Sequence, residues 1–426
     1  MTETVGPGGV AGTIRVPASK SHTIRALLLA SLAEGESVIT NPLDSRDAAA
    51  CIAACRAFGA EIREETAPRR LVVQGTGGRL RTPDDIINVN NSGTTLYLAL
   101  GLAALAGGWT VFTGDEQIRR RSAAPLLASL RALGAQAFST RDSGCAPIAV
   151  RGPLRGGTTS IECPTSQYLS SLLLAAPLAS GDTEIAVPLL NERPYVEMTL
   201  WWLDSQGIRL EREGLQHYHI PGGQAYRPFS AEVPGDYSSA TFWMVAAAVS
   251  GSSLTLEGLD PADPQGDKAV LDILAEMGCR VARRRGNRVT VTGPARLRGG
   301  SFDLNAIPDA LPALTVAACF ADSPTTLHNV PQAREKETDR VAVMAAELGK
   351  LGARIEERPD GLLVRPRDAS EVTLTGGSVS GHGDHRIVMA LAVAALGAAG
   401  PVTIAGSDAA AVTYPGFFAD LRRLQD

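Results

Sequence analysis

Arg334, Lys336, Glu337, Asp339 and Arg340 crowd into seven residues, just before an Ala-rich amphipathic segment that runs to Leu351. Carboxylates set between cations can move a proton and hold an anion at one place. Side chains bunched at a helix start also share a small volume with free backbone N–H groups, so an arriving anion meets both sets of donors. Alone, the stretch reads equally well as a charged first turn, with Thr338 as N-cap and Asp339 complementing the helix dipole. Its neighbours decide between the two.

Similar polar groups stand at the starts of six Ala- and Leu-rich segments. They are Lys20-Ser21 with Arg25, Asn91-Ser-Gly-Thr94, Thr165-Ser-Gln167, Asp236-Tyr-Ser-Ser239, Pro308-Asp309 and Gly383-Asp-His-Arg386. Any one of these is an ordinary helix cap. Six helix starts that converged, with Lys20, Arg121, Lys336 and Arg340 in register beside them, would make a strong site for a small molecule carrying several negative charges. His382 and His385 lie three apart, but no third ligand has suitable spacing, so a structural or orienting role is expected and no metal. Leu154-Arg-Gly-Gly and Leu297-Arg-Gly-Gly lack the Lys-Ser/Thr that would make a phosphate loop, and no dinucleotide fingerprint is present.

The elements that must position these groups form an internal repeat. Apolar-Gly helix ends recur at Gly59, Gly134, Gly207, Gly278 and Gly352, at spacings of 75, 73, 71 and 74, each suited to the left-handed residue that closes a helix before a strand. The Ala-rich segments begin near Thr23, Thr94, Ser166, Ser238, Ala310 and His385, in the same register, and each is followed by a short β-rich run such as Ser253-Leu-Thr-Leu. The Ala-rich helices are apolar nearly all round and should be buried; the apolar-Gly helices keep a polar face and should lie outside.

A chain of 426 residues, 44% hydrophobic, can bury a large core and should form at least two domains. The net charge of -5, without a basic stripe, argues against nucleic acid as a partner. Six scattered cysteines fit buried thiols in a reducing compartment. The N-terminal stretch lacks the pattern of a signal peptide and the longest apolar helix is too short to span a bilayer, so a cytoplasmic protein without membrane partners is expected.

Taken together, Pro17-Ala-Ser-Lys-Ser21 with Arg25, Asn91-Ser-Gly-Thr94, Thr165-Ser-Gln167, Pro234-Gly-Asp-Tyr-Ser-Ser239, Gln265-Gly-Asp267, Ile307-Pro-Asp309, Lys336-Glu-Thr-Asp-Arg340 and Asp384-His-Arg386 resemble the enolpyruvyl transferases, within them the branch acting on shikimate 3-phosphate. The runs span nearly the whole chain in order. The resemblance implies a two-domain inside-out α/β barrel of six βαβαββ repeats, three per domain. Residues 20–233 would form one domain, and 1–19 plus 234–426 the other, with the active site in the cleft between them. It implies transfer of the enolpyruvyl group of phosphoenolpyruvate to the 5-hydroxyl of shikimate 3-phosphate, with release of phosphate, by a monomer without cofactor. Asp309 would be the base on the acceptor hydroxyl, with Glu337 and Lys20 moving protons at the methylene and the departing phosphate. Lys20, Gly93, Arg121, Gln167, Arg340 and Arg386 would hold phosphoenolpyruvate, the two last taking its carboxylate. Lys20, Ser21, Arg25, Thr165, Ser166, Gln167, Asp309, Gln332 and Lys336 would hold the acceptor.

Four positions depart from that pattern. Tyr97 follows Leu96 where the family usually has an arginine, and Val412 stands where it has a lysine; Ser122 also replaces the usual proline after Arg121. Glu192 occupies a place where many members set Ser or Thr against the acceptor's phosphate. A carboxylate about 5 Å from a phosphate costs roughly 3 kcal/mol per charge pair at an effective dielectric near 20. Arg193 could neutralise Glu192, or Asn191 could take the Ser role. Two other readings therefore stay open: enolpyruvyl transfer to a different acceptor, phosphorylated or not, and a non-catalytic anion-binding protein.

Overall fold

The computed structural model describes residues 1–366 and 374–425. They fall into two compact units, one made of Met1–Ser19 with Pro234–Asp426, the other of Lys20–Val233. Each is an α/β unit holding three sheets among the described residues.

In the Lys20–Val233 unit every sheet follows one plan. Gly157–Cys163 pairs in parallel with Thr183–Leu190, which pairs antiparallel with His217–Ile220, and that strand pairs antiparallel with Glu211–Glu213. The unit made of Met1–Ser19 and Pro234–Asp426 repeats the plan: Ser301–Asp303 runs parallel to Thr325–His328, followed by Gly361–Arg365 and Arg354–Arg358 antiparallel. A parallel pair needs a crossover, and in four of the sheets an Ala-rich helix, Gly93–Ala103, Gln167–Ala175, Leu311–Cys319 or His385–Leu396, lies between the parallel strands and supplies it. The Leu311–Cys319 helix lies between the two parallel strands in sequence, and all nine of its residues are buried.

Burial divides the helices as their composition requires. Lys20–Leu32, Gly93–Ala103, Gln167–Ala175, Tyr237–Val249, Leu311–Cys319 and His385–Leu396 are buried over nearly their whole length. Arg46–Ala57, Ala124–Ala132 and Arg340–Lys350 bury one face only. The five repeat glycines all take positive φ, from 69° to 105°, so the helix ends turn where the sequence places them. Five cysteines are buried and Cys145 is half-buried. Among the described residues no helix is long and apolar enough to cross a membrane.

Candidate active site

In the unit containing residues 234–425, four helix starts meet through charged side chains. Asp309 sits on the Pro308–Ala310 turn that opens the Leu311–Cys319 helix. Its Oδ1 is 2.7 Å from Arg340 Nη1 and its Oδ2 is 2.9 Å from Arg386 Nη2. Arg340 is the first residue of the Arg340–Lys350 helix, and Arg386 lies one residue into His385–Leu396. Arg386 Nη1 also donates to Ser238 Oγ at 2.7 Å, which brings in the Tyr237–Val249 helix. Arg340 Nη2 reaches Glu337 Oε2 at 2.6 Å.

Asp384, fully buried, organises the cluster. It accepts from Arg340 Nε at 2.8 Å, from Thr338 Oγ1 at 3.1 Å and, as N-cap of its own helix, from the Arg386 N–H at 2.9 Å. Burial would push the Arg340 guanidinium down, yet Asp384, Glu337 and Asp309 together hold it well above its ordinary value. Thr338 is therefore not the N-cap expected from the sequence. The cap is Asp339, whose side chain accepts from the Ala342 N–H at 3.0 Å, while the Thr338 hydroxyl is spent on Asp384. Gln332 is buried with its Nε2 donating to Asn305 O at 3.0 Å, and Lys336 is half-buried four residues on.

The Lys20–Val233 unit carries the other expected groups. Lys20, at its helix start, pairs with Asp47 at 3.3 Å. Ser92 caps the Gly93–Ala103 helix, and Gly93 lies flat against Arg121: a Cβ on Gly93 would stand 2.3 Å from Arg121 Nη1. Tyr97 lies beneath the same guanidinium, with Arg121 Cζ 5.6 Å from its ring centroid, and donates its hydroxyl to Ser122 O at 3.0 Å. Tyr168, edge-on to Tyr97, donates to the same carbonyl. The position that lacks the family's usual arginine thus holds an aromatic platform for Arg121. Arg25 is buried and donates to Thr199 Oγ1, Ser21 O and Tyr195 O. Burial lowers its pKa to about 10, although Tyr195 acts the other way. Thr165 Oγ1, Ser166 N–H and Ser166 Oγ all donate to Glu192 Oε2, at 3.0, 3.1 and 2.9 Å. Gln167 follows as the first residue of its helix.

A sequence profile of EPSP synthase (3-phosphoshikimate 1-carboxyvinyltransferase) matches residues 5–421. The chain belongs to the EPSP synthase family. Among its relatives is the 3-phosphoshikimate 1-carboxyvinyltransferase of Ruminiclostridium cellulolyticum, 52% identical over 410 residues, which are 96% of this chain and 94% of that one. The enzyme of the same name from Methanocella arvoryzae is 44% identical over 427 residues, 100% of this chain and 99% of that one. A solved structure of EPSP synthase from Acinetobacter baumannii superposes with a TM-score of 0.82 at 29% identity, covering 100% of this chain and 98% of that chain.

Within this family frame, the sequence reading passed over three groups. Asp384 read only as a helix cap, because its second role depends on Arg340, which is 44 residues away. Ser238 read as part of a helix start, and Asp47 carried no motif at all. Val412, at the missing-lysine position, is buried at the end of the Ser407–Val412 turn.

Gly93 gives a first test. In Gly93→Ala only the far end of the Arg121 side chain must move, so folding should be nearly unaffected, with Tm within about 2 °C of wild type. Moving the guanidinium should weaken phosphoenolpyruvate binding by roughly 10- to 100-fold, the worth of one charge-assisted hydrogen bond. KM for phosphoenolpyruvate measured beside the melting curve checks both parts. An unchanged KM would remove Arg121 from the phosphate site.

Proposed function

We propose that this protein transfers the enolpyruvyl group of phosphoenolpyruvate to the 5-hydroxyl of shikimate 3-phosphate and releases phosphate. Family membership over nearly the full length supports this reaction. The observation that carries the mechanism is the double hold of Arg340 and Arg386 on Asp309.

Both arginines present planar donors suited to a substrate carboxylate. When the carboxylate of phosphoenolpyruvate takes them over, both arginines release Asp309, which becomes able to accept the proton of the acceptor's 5-hydroxyl. The hydroxyl oxygen then bonds to C2 of phosphoenolpyruvate while C3 gains a proton from Glu337, giving a tetrahedral adduct. Return of a C3 proton to Glu337 and cleavage of the C2–O bond restore the double bond in the product, while the proton held by Asp309 passes to the leaving phosphate and Lys20 neutralises that phosphate. Lys20, Arg121 and the Gly93 N–H hold that phosphate; Ser21, Thr165, Ser166, Gln167, Gln332 and Lys336 orient the acceptor. Arg25, whose donors are engaged inside its own unit, supports the acceptor residues from below. Orientation and charge neutralisation supply most of the rate.

The same reading makes the protein a monomer built as an inside-out barrel of six βαβαββ repeats, three in residues 20–233 and three in 1–19 plus 234–426. The recurring parallel-antiparallel sheet plan supports it. Six free thiols suit the reducing cytoplasm. A second reading, transfer to an unphosphorylated acceptor, draws on the carboxylate of Glu192 at Thr165 and Ser166.

One assay separates the two: inorganic phosphate release from phosphoenolpyruvate with shikimate 3-phosphate, with shikimate, and with each substrate alone. Release that requires shikimate 3-phosphate is expected. Release with shikimate at equal efficiency would favour the second reading, and no release with either acceptor would overturn both.

A further inference from the structure

The start of the Gln167–Ala175 helix is already occupied by an anion belonging to the chain. Glu192 is 1% exposed, and one of its oxygens, Oε2, takes all three donors that Thr165 and Ser166 present. Two hydroxyls and a helix-start amide around one oxygen are the arrangement that holds a phosphate oxygen. The backbone of Glu192 is left-handed, with φ 59° and ψ 39°, a conformation uncommon for a residue with a Cβ. The left-handed residue opens the Arg193–Ser205 helix, while its side chain reaches the start of a different one.

Thr165 and Ser166 are also the groups that the proposed function, on which this inference rests, gives to the acceptor. A phosphate seated there needs the same protons that Glu192 now receives, and two anions cannot share them. We propose that Glu192 is a resident anion that reserves the acceptor's phosphate seat. The phosphorylated acceptor binds by exchange: its phosphate takes over the Thr165 and Ser166 donors and the Glu192 carboxylate turns away. The seat thereby discriminates among anions. Inorganic phosphate has no ring contacts to offset the expulsion of Glu192 and is refused, whereas shikimate 3-phosphate, held also through its hydroxyls, displaces it. Since the reaction releases inorganic phosphate, that refusal keeps the product out of the acceptor's place.

The full chain, as wild type, Glu192→Gln and Glu192→Ser, tests this by calorimetric titration with shikimate 3-phosphate and, separately, with inorganic phosphate. Gln keeps the shape and an accepting oxygen but removes the charge; Ser removes the occupant. Circular dichroism confirms that each variant is folded. Both variants are expected to bind shikimate 3-phosphate at least tenfold more tightly, and to bind inorganic phosphate as a competitor that wild type excludes. Unchanged or weaker binding of both anions in both variants would overturn the proposal and leave Glu192 as a cap for the helix start. If the variants gain inorganic phosphate binding while wild type neither binds nor turns over shikimate 3-phosphate, the seat stands and the acceptor assignment falls.

Discussion

Asp309→Asn is expected to lower kcat by about 10²- to 10⁴-fold, the usual contribution of a positioned general base, without raising KM for phosphoenolpyruvate. The amide keeps the shape of the carboxylate and can still accept from a guanidinium. It cannot take the proton of the acceptor hydroxyl. Because Arg340 and Arg386 are both paired with Asp309, neutralising it also removes a competitor for the substrate carboxylate. KM for phosphoenolpyruvate should therefore stay level or fall. Steady-state kinetics with both substrates varied gives the two numbers at once. A parallel fall of kcat and rise of KM would instead make Asp309 a scaffold for the arginines, and full activity would remove it from the chemistry.

Arg340→Met is expected to cost about 3–5 kcal/mol of stability, the range for breaking a buried ion pair from one side, and so to lower Tm by roughly 10 °C. Arg340 is 1% exposed and neutralises three carboxylates, of which Asp384 is fully buried and Glu337 nearly so. Methionine fills much of the volume but answers none of the charge. Arg386 still reaches Asp309, so Glu337 and Asp384 bear most of the loss. Phosphoenolpyruvate binding should vanish in the same variant. Arg340→Lys, which keeps a charge but cannot bridge three partners, should recover part of the stability and little of the binding. Thermal unfolding and direct titration read the two effects; a Tm within about 2 °C of wild type would mean that the carboxylates are compensated elsewhere.

Much of this was legible in the sequence, because helix starts and ends leave local marks. The glycines at 59, 134, 207, 278 and 352 have to take positive φ wherever the chain folds, and the Ala-rich segments have no polar face to leave outside. The cations and carboxylates of the site were visible for the same reason: each stands at a cap. What stayed hidden depends on residues distant in sequence. Thr338 and Asp339 are both good caps, and the choice between them turns on Asp384, which draws the threonine hydroxyl away. Tyr97 read as a lost cation, since nothing local says that its ring will lie under Arg121. Glu192 read as a charge opposed to a phosphate; that it already holds the donors of Thr165 and Ser166 is a property of the folded chain alone.

The strand Thr2–Val5 pairs antiparallel with Val402–Ala405, and Gly12–Arg15 lies parallel to Ser253–Glu257. The sheets of residues 20–233, by contrast, are paired entirely within that contiguous stretch. During synthesis at about 5–20 residues per second, Thr2–Val5 leaves the ribosome roughly 20–80 s before its partner strand exists. The contiguous unit can complete its sheets in that interval while the first residues remain unpaired. Thr2–Val5 is thus made long before it can be placed, and a nascent chain stalled once residue 233 has cleared the exit tunnel would display one finished unit with Thr2–Val5 still unpaired.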